Sequence, residues 1–223
     1  MTQSDPNKTL QPDARSRLIS AALHLFAEKG YERTSTRQIC QTAQTNISSI
    51  RYYFGDKAGL YRAAFLEGTA EHSCAVNIDL YSSLALPEAL SLLFKEFLEP
   101  LKRSEELRLV MKLYYREILE PTGLWQEQID TDIKPQHDAV VAMLKQHFGL
   151  QRIDTDVHRL AFAIIGMAVH FYVGQDIVAA IAPNMVKNAK AIDVSAERLT
   201  AYALSIIEGE AQRRAAQVDH DKI

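Results

Sequence analysis

A short stretch between residues 45 and 57 concentrates side chains that can hydrogen-bond to DNA. It combines hydroxyl, amide, guanidinium, phenol and ammonium groups, carried by Thr45, Asn46, Ser48, Ser49, Arg51, Tyr52, Tyr53 and Lys57. An arginine can donate two parallel hydrogen bonds to O6 and N7 of guanine, worth about 1–3 kcal/mol of base discrimination, whereas a serine bonds to either type of base. The stretch therefore predicts contact with base edges and phosphates, with Arg51 as the main source of specificity.

Two short helices joined by a tight turn would position these side chains. Thr36 stands at the start of the first helix, which we expect to end near Ala43, and Asn46 can cap the second by accepting hydrogen bonds from its backbone amides. Such a pair is a helix-turn-helix, whose second helix enters the major groove. We expect Thr36 and the helix amides to bind a phosphate, with Arg37 beside them.

Four of these residues also have a simpler interpretation. Thr36 can be a plain helix cap, and Arg37 can be solvated. Asn46 is most simply a cap, with base contact as the lesser role. Arg51 is explained by a phosphate contact nearly as well as by guanine recognition.

The aromatic residues and the lysine at the end of the stretch are expected at the DNA backbone. Tyr52 and Tyr53 would direct their hydroxyls to phosphates, although one ring can belong to the core. Lys57, at the start of a fourth helix capped by Asp56, would clamp a phosphate. The predicted core of this head consists of Ile39, Cys40, Ile50, Phe54 and Leu60.

The charge of the chain is unevenly distributed. Residues 1–60 carry eight Lys or Arg and five acidic residues, a net +3, whereas all 223 residues together carry −3. The remainder therefore carries −6. A small basic head on an acidic body suits phosphate binding.

The cysteine content and the polar N-terminus predict a reduced, cytoplasmic setting. Cys40 and Cys74 do not make a disulfide framework, and no signal peptide precedes them. The longest apolar run, 160–174, is interrupted by His170 and is shorter than the roughly 20 residues of a membrane span. We expect a buried helix there and no membrane partner.

The rest of the sequence predicts helices almost without interruption. Apolar residues recur every three or four positions, and no sustained alternation indicates a strand. The predicted helices include 13–29, 57–74, 155–173 and 195–214. A further segment, 124–148, is kinked or divided by Pro135. The fold class is therefore all-α, with an N-terminal three-helix helix-turn-helix head followed by a larger helical bundle.

Residues 13–62 resemble the TetR family of bacterial transcriptional regulators. The matching residues, at the family's spacing, are Leu18, Ala22, Phe26, Ala27, Glu28, Lys29, Gly30, Tyr31, Thr36, Arg37, Ile39, Ala43, Tyr52, Tyr53, Phe54, Lys57 and Leu60. The resemblance implies a homodimer with two DNA-binding heads and a ligand-binding body. The domains are then a disordered arm (1–12), a DNA-binding domain (13–60) and a ligand-binding and dimerisation domain (61–223).

Three positions depart from the family pattern. Gln44 stands where the family commonly has Gly in the turn, which predicts a strained or altered turn. Arg51 replaces a usual Tyr, and Cys40 replaces a usual Ala, so that burial of Cys40 is favoured over redox sensing. The stretch from Asn46 onwards is similar to the CecR/CerR-type subgroup.

By the same resemblance, the body holds a ligand pocket and the dimer interface. Polar groups in apolar segments, together with Met and aromatic residues, give the candidate set Met111, Tyr115, Glu117, Trp125, Met143, Met167, His170 and Phe171. Such residues at helical spacing are more often plain core, and Tyr115, Glu117 or His170 can instead be a satisfied core or surface group. The helices near 157–173 and 195–214 are the expected dimer interface, and small residues such as Gly166 permit close packing there.

No pattern predicts a metal, a cofactor or an enzyme. The seven His residues form no i, i+4 pair, and neither a Gly-rich phosphate loop nor a Gly-x-Ser-x-Gly motif occurs. We expect a ligand-responsive repressor that binds a palindromic operator in double-stranded DNA as a homodimer and is released by a small-molecule inducer of unidentified structure. The alternatives are a regulator without such an inducer, or a helical ligand-binding protein or enzyme with a non-functional head.

Overall fold

The computed structural model describes residues 13–70, 78–103, 105–123 and 129–220. The chain divides into two compact units, Met1–Glu71 and His72–Ile223, which we call the head and the body. The predicted arm over 1–12, as well as Cys74 and Trp125, lies outside the described residues.

The described part of the head consists of four helices. They are α1 (Ala14–Lys29), α2 (Thr36–Thr42), α3 (Ile47–Phe54) and α4 (Lys57–Ala70). The predicted boundary after residue 60 falls inside α4, whereas the first unit contains all of this helix. The reason is packing: α4 lies along α1, and the ring of Tyr61 meets that of Phe26 edge-on, with centroids 4.9 Å apart.

Side-chain caps fix where the helices of the head begin. Asp13 accepts a hydrogen bond from the amide of Ser16 at 2.7 Å, and Asp56 accepts one from the amide of Gly59 at 2.8 Å. Ser35 forms a reciprocal capping box with Gln38 at the start of α2. Each cap satisfies an amide that has no partner within its helix, which stabilises that end. The predicted helix starts are confirmed.

The described residues of the body form helices and connecting turns without a strand, which confirms the all-α fold class. Its α-helices are α5 (Ile78–Ser83), α6 (Leu86–Leu98), α7 (Glu105–Leu119), α8 (Lys134–His147), α9 (Thr155–Val173), α10 (Gln175–Ile181) and α11 (Ala189–His220). A continuous core of apolar side chains joins α6 to α7, α8, α9 and α11. Phe94, Leu144, Ile164 and Ile207 are almost completely buried in it.

The last helix begins earlier than the sequence indicated. The prediction that Ser195 opens it is wrong: α11 starts at Ala189, where Asn188 accepts a hydrogen bond from the amide of Ala191 at 2.9 Å. Ser195 is buried inside the helix and donates its hydroxyl to the carbonyl of Ala191. Bonding to the carbonyl four residues back lets serine sit within a helix, which composition alone does not distinguish from a cap.

Pro135 lies close to a change of helix type in the predicted 124–148 segment. A π-helical turn at Ile129–Ile133 leads into α8, and Pro135 occupies the first turn of that helix. A proline is tolerated there because its missing amide would have no partner within the helix.

Helix α9 is buried on one face only, which corrects the expectation of a buried helix. Ala161, Ile164 and Ala168 are buried, whereas Phe162 is 64% exposed and Val173 is 49% exposed. By length and composition α9 could cross a membrane, and 33% of its apolar window is buried. This test is weak evidence for a span, because helices with one face in a core also pass it.

Candidate nucleic-acid interface

Helix α3 separates an inward residue from an outward polar face. Ile50 is buried, whereas Ser48, Arg51 and Tyr52 are exposed, with 82% of Tyr52 accessible. Tyr53 is 41% exposed and Ser49 is half-buried. The structure thus brings half of the ten predicted contact residues together on one short helix.

The turn before α3 contains a residue in a left-handed conformation. Gln44 has φ of 51°, and the turn closes through a hydrogen bond from the amide of Thr45 to the carbonyl of Cys40 at 2.9 Å. A non-glycine residue in this region costs roughly 1–2 kcal/mol. The strain predicted from the missing glycine is present.

The Thr45 hydroxyl does not fit its predicted role. Its Oγ1 is buried and has no hydrogen-bond partner among the described residues. The oxygen is therefore inaccessible to a base edge in this conformation, contrary to prediction. Burial follows from the tight turn, which draws residue 45 inward beside Cys40.

Asn46 and Ser35 act as the caps of the two short helices. Asn46 accepts a hydrogen bond from the amide of Ser48 at 3.3 Å through its Oδ1, as its simpler interpretation predicted. Ser35, rather than Thr36, caps α2. Thr36 is half-buried in the first turn and Arg37 is exposed next to it, so the plain-cap interpretation of Thr36 is wrong.

Aromatic contacts orient Lys57 and the tyrosine pair. The Lys57 ammonium lies 4.2 Å from the centroid of the Tyr31 ring, a distance typical of cation–π attraction. Tyr52 and Tyr53 contact each other edge-on, with centroids 4.8 Å apart. These contacts limit the rotamers of side chains that would reach phosphates.

Arginines of α1 hold the helix-turn-helix to the rest of the head. Arg17 donates from Nε to the carbonyl of Ala43 at 3.1 Å, at the end of α2. Arg15 pairs with Glu67 on α4, and its guanidinium lies 5.6 Å from the ring centroid of Phe54 at the end of α3. Sequence reasoning assigned neither arginine a role, because the pairs join residues distant in the chain.

In the body, the predicted ligand residues occupy different environments. Tyr115, Met143 and Phe171 are buried in the core, and Met111 and Met167 are half-buried against it. Burial raises the pKa of the Tyr115 phenol well above its ordinary value. The other two described members of the set, Glu117 and His170, are polar, and only Glu117 is buried.

Glu117 and His170 match the two simpler interpretations, a satisfied core group and a surface group. Glu117 is fully buried, and its Oε1 accepts a hydrogen bond from the amide of Thr122 at 2.8 Å. It thereby holds the chain that follows α7. His170 is exposed on the outer face of α9, so it does not line an interior pocket. The apolar character of neighbouring residues suggested burial, but the helix face on which His170 lies is not covered within the body.

A cleft of about 220 Å³ lies between the end of α7 and the end of α9. Its lining residues are Lys112, Tyr115, Arg116, Leu119, Glu120, Tyr172, Val173, Gln175 and Asp176. Of the predicted ligand residues that the structure describes, Tyr115 alone lines it. The cleft combines stacked tyrosine rings, 4.9 Å apart for Tyr115 and Tyr172, with two cations and two carboxylates, and Arg116 pairs with Glu120 at 3.2 Å. This volume is below the range of about 300–1,000 Å³ of drug-sized sites.

Helices α9 and α11 each expose large apolar side chains, which we call together the α9–α11 face. Its large members are Phe162, Val173, Val194, Tyr202 and Ile206. A Cβ built on Gly166 or Gly209 would meet no atom of the described residues within 4 Å. Packing inside the body therefore does not explain these two glycines.

Two ion pairs join the ends of the helices that form this face. Arg213 contacts Asp156 at 2.9 Å, and Arg214 contacts Asp154 at 2.7 Å. The Arg214 side chain, together with the amide of Val157, holds the pKa of the Asp154 carboxyl well below its usual range. Asp154 is also the N-cap of α9, so one residue both starts the helix and ties it to α11.

A histidine pair lies where α8 meets α9. Nε2 of His137 and Nδ1 of His158 are 2.9 Å apart. The pKa of His137 is lowered, mainly by burial of the ring and to a lesser extent by the neighbouring His158. Among the described residues, no group of three or more His, Cys, Asp and Glu side chains could hold a metal ion.

Two families of known proteins match this chain. Residues 18–64 match the family described as bacterial regulatory proteins, tetR family, and residues 86–209 match the C-terminal domain of the HTH-type transcriptional dual regulator CecR. The chain is 27% identical over 187 residues to the HTH-type transcriptional dual regulator CecR of Shigella flexneri. That alignment covers 78% of this chain and 83% of its relative.

Solved structures share the fold. FadR from Bacillus subtilis, in complex with stearoyl-CoA, gives a TM-score of 0.59 at 17% identity, covering 85% of this chain and 97% of that one. AibR, in complex with isovaleryl coenzyme A and operator DNA, gives a TM-score of 0.54 at 22% identity, covering 72% and 86%. At these identities the similarity concerns the fold alone.

Proposed function

Because this chain belongs to the TetR family of bacterial regulatory proteins and carries a C-terminal domain of the CecR type, it is a transcriptional regulator, and we propose that it is a ligand-responsive repressor. It binds a palindromic operator as a homodimer in the cytoplasm, and a small molecule releases it. Regulators of this kind act by binding, so we propose no enzymatic activity.

The exposed polar face of α3 is the observation that carries this proposal. Ile50 anchors the helix from within, while Ser48, Arg51 and Tyr52 extend outward. Arg51 donates to a guanine in the major groove, since its exposed guanidinium offers the bidentate geometry that guanine accepts. Ser48 and Ser49 permit close approach and add weak hydrogen bonds.

The phosphate contacts come from the residues around this face. Thr36 and Arg37 approach one phosphate at the start of α2, where helix amides favour an anion. Tyr53 and Lys57 approach the backbone on the other side of the recognition helix. Asn46 contributes mainly as a cap, and these contacts set the register of α3 on the duplex.

The α9–α11 face is the proposed dimer interface. It combines exposed aromatic and aliphatic side chains with glycines whose surroundings are open within the body. Exposed apolar patches of this kind mark interaction sites. A two-fold interface makes both recognition helices equivalent, which matches a palindromic operator with half-sites about one helical turn apart, or a multiple of it.

The cleft beside Tyr115 is the proposed ligand entry point. Lys112 suits an anionic group, whereas Arg116 already pairs with Glu120, and the Tyr115 and Tyr172 rings suit an apolar group. Coenzyme A thioesters are the first class to test, because AibR and FadR were solved with members of that class. The cleft accommodates part of such a molecule. Ligand binding favours a conformation with low operator affinity, and linkage requires that DNA weaken ligand binding by the same factor.

A footprint on the DNA upstream of the protein's own gene tests the proposal directly. At about 150 mM salt with competitor DNA, we expect a protected palindrome whose affinity falls steeply as salt rises, because several phosphate contacts release counterions. Addition of an inducer should remove the protection. If neither this DNA nor a random-sequence selection is bound, the head is not a specific DNA reader, and the body acts as a binding protein or an enzyme.

The similarity to dual regulators favours a second candidate function. Both the C-terminal family and the Shigella flexneri relative are described as dual regulators, so activation at some promoters is the alternative to pure repression. Transcript levels of footprinted promoters, with and without the gene, decide this. Loss of transcription on deletion at any directly bound promoter would identify activation there.

A further inference from the structure

We propose that Ile47 reads the 5-methyl group of a thymine in each operator half-site, an inference that rests on the proposed function and assigns a base to one residue. Ile47 is the first residue of α3, directly after the cap Asn46. Its side chain is 57% exposed, although it is among the most apolar of all residue types. Single exposed apolar residues are common on protein surfaces, so the exposure of Ile47 alone does not indicate contact with a base. Its position in α3 and its neighbouring side chains do.

The position of Ile47 is the one from which a recognition helix reaches base edges. In helix-turn-helix proteins, the N-terminal residues of the second helix contact bases in the major groove. The hydrogen bond between Asn46 and the amide of Ser48 fixes this first turn as helix. The neighbouring side chains, Ser48 and Ser49, are short, so the branched side chain of Ile47 extends beyond them.

Packing within the head does not account for Ile47. The apolar anchor of α3 is Ile50, which is almost completely buried. Ile47 lies one turn before Arg51, and residues four apart are neighbours on a helix surface. Its methyl groups therefore stand on the face that presents the arginine.

The spacing of these two residues relates the thymine to the guanine. Four residues of α-helix rise about 6 Å, and successive bases of one strand are about 3.4 Å apart along the DNA axis. The thymine contacted by Ile47 therefore lies one or two base pairs from the guanine contacted by Arg51. Apolar side chains recognise thymine in the major groove by contact with its methyl group. Ile47 can therefore distinguish thymine from the other bases, which the two serines cannot do.

Removing the methyl group from DNA and the apolar side chain from the protein tests this pairing. The half-site is first selected from random DNA with the full-length wild-type chain, and each thymine is then replaced by deoxyuridine, which lacks only the methyl group. At one thymine per half-site, deoxyuridine placed in a single half-site should weaken wild-type binding about fourfold, the effect of losing contact with one methyl group. Ile47→Ala should bind less tightly but show no further loss at that thymine.

Two further variants serve as checks. Ser48→Ala should keep the deoxyuridine sensitivity, because it leaves Ile47 in place. Ile47→Ser repeats the test if the alanine variant folds poorly by circular dichroism. Equal deoxyuridine responses of wild type and both Ile47 variants at every thymine would overturn the inference while leaving operator binding intact. Failure of the wild-type chain to select any DNA would overturn both this inference and the proposed function.

Discussion

The head and the body differ in how closely their candidate sites follow from neighbouring residues in the sequence. In the head, Asn46 sets the start of α3 and Ile50 sets its inward side, so helical geometry alone places Arg51 and Tyr52 outward. In the body, the candidate ligand residues come from several helices, and their burial depends on contacts between distant segments. A surface carried by one short helix is encoded locally, whereas a cavity between helices is not.

The largest expected effect tests whether the body controls the head through dimerisation. Gly166→Arg places a long charged side chain on the α9–α11 face, where the body itself leaves open space. Arg is a better helix former than Gly, so the body should stay folded while the dimer dissociates. Loss of paired half-site binding should weaken operator affinity on the order of 100-fold, measured with sedimentation equilibrium and gel shifts.

Gly166→Ala is the matched control for this experiment. A single methyl group removes the helical penalty of glycine but adds no charge, and we expect a dimer with nearly unchanged operator affinity. A dimeric Gly166→Arg protein would place the interface elsewhere on the chain.

The second effect compares how much DNA affinity is lost when either of two cationic residues of the head, Arg51 or Lys57, is mutated. Arg51→Ala should cost about 1–3 kcal/mol on the selected operator and relax discrimination at one base position. Lys57→Ala should weaken all sequences about equally and reduce the salt slope by about one. Binding to the operator and to scrambled DNA over a salt series separates the two. Equal losses on both DNAs for both variants would remove Arg51 as the base reader.

The third effect concerns how α9 is held to α11. Asp154→Ala removes the N-cap of α9 and the Arg214 ion pair, and loss of such a cap costs about 0.5–2 kcal/mol of the free energy of unfolding. Urea unfolding at pH 7 measures it. Asp156→Ala, which removes the exposed pairs with Arg159 and Arg213 but no cap, should cost less.

The pH dependence of the same variant follows from the depressed pKa of Asp154. A carboxyl with a lowered folded-state pKa stabilises the fold above its unfolded pKa of about 3.9, and this contribution is lost as pH falls through the folded value. The stability difference between wild type and Asp154→Ala should therefore shrink as pH falls below about 4. If this stability difference stayed constant with pH, the charge of Asp154 would contribute nothing, and its cap hydrogen bond alone would account for the lost stability.

The smallest expected effect tests whether the turn at Gln44 in the head is strained. Gln44→Gly should relieve the positive φ and stabilise the head by about 0.5–1 kcal/mol, after the greater entropy loss of glycine is subtracted. Gln44→Ala, which keeps the strain, should change stability little. Thermal unfolding followed by circular dichroism compares the two. A destabilised glycine variant would mean that the turn relaxes without strain.

The fold and the helix-turn-helix could be predicted because their signals are short-range. Caps at Asp13 and Asn46 act on amides within a few residues, and the resemblance of residues 13–62 to the TetR family is confirmed. The left-handed turn at Gln44 followed from a glycine that the family has and this chain lacks.

The errors arose where one residue type fits two environments. The hydroxyl of Ser195 bonds back into its own helix instead of capping it, and that of Thr45 is buried in the turn. For both hydroxyls, the packing of the chain decides which group of the described residues, if any, is the hydrogen-bond partner.

The separation of Ile50 from the outward residues of α3 also bears on how this regulator can diverge. Substitutions at exposed positions usually change stability by no more than about 0.5 kcal/mol, and Ile47, Ser48 and Arg51 are all exposed. Mutations there can redirect the protein to a new operator while the head remains folded. After gene duplication, the two copies could thus come to control different promoters before the body changes at all.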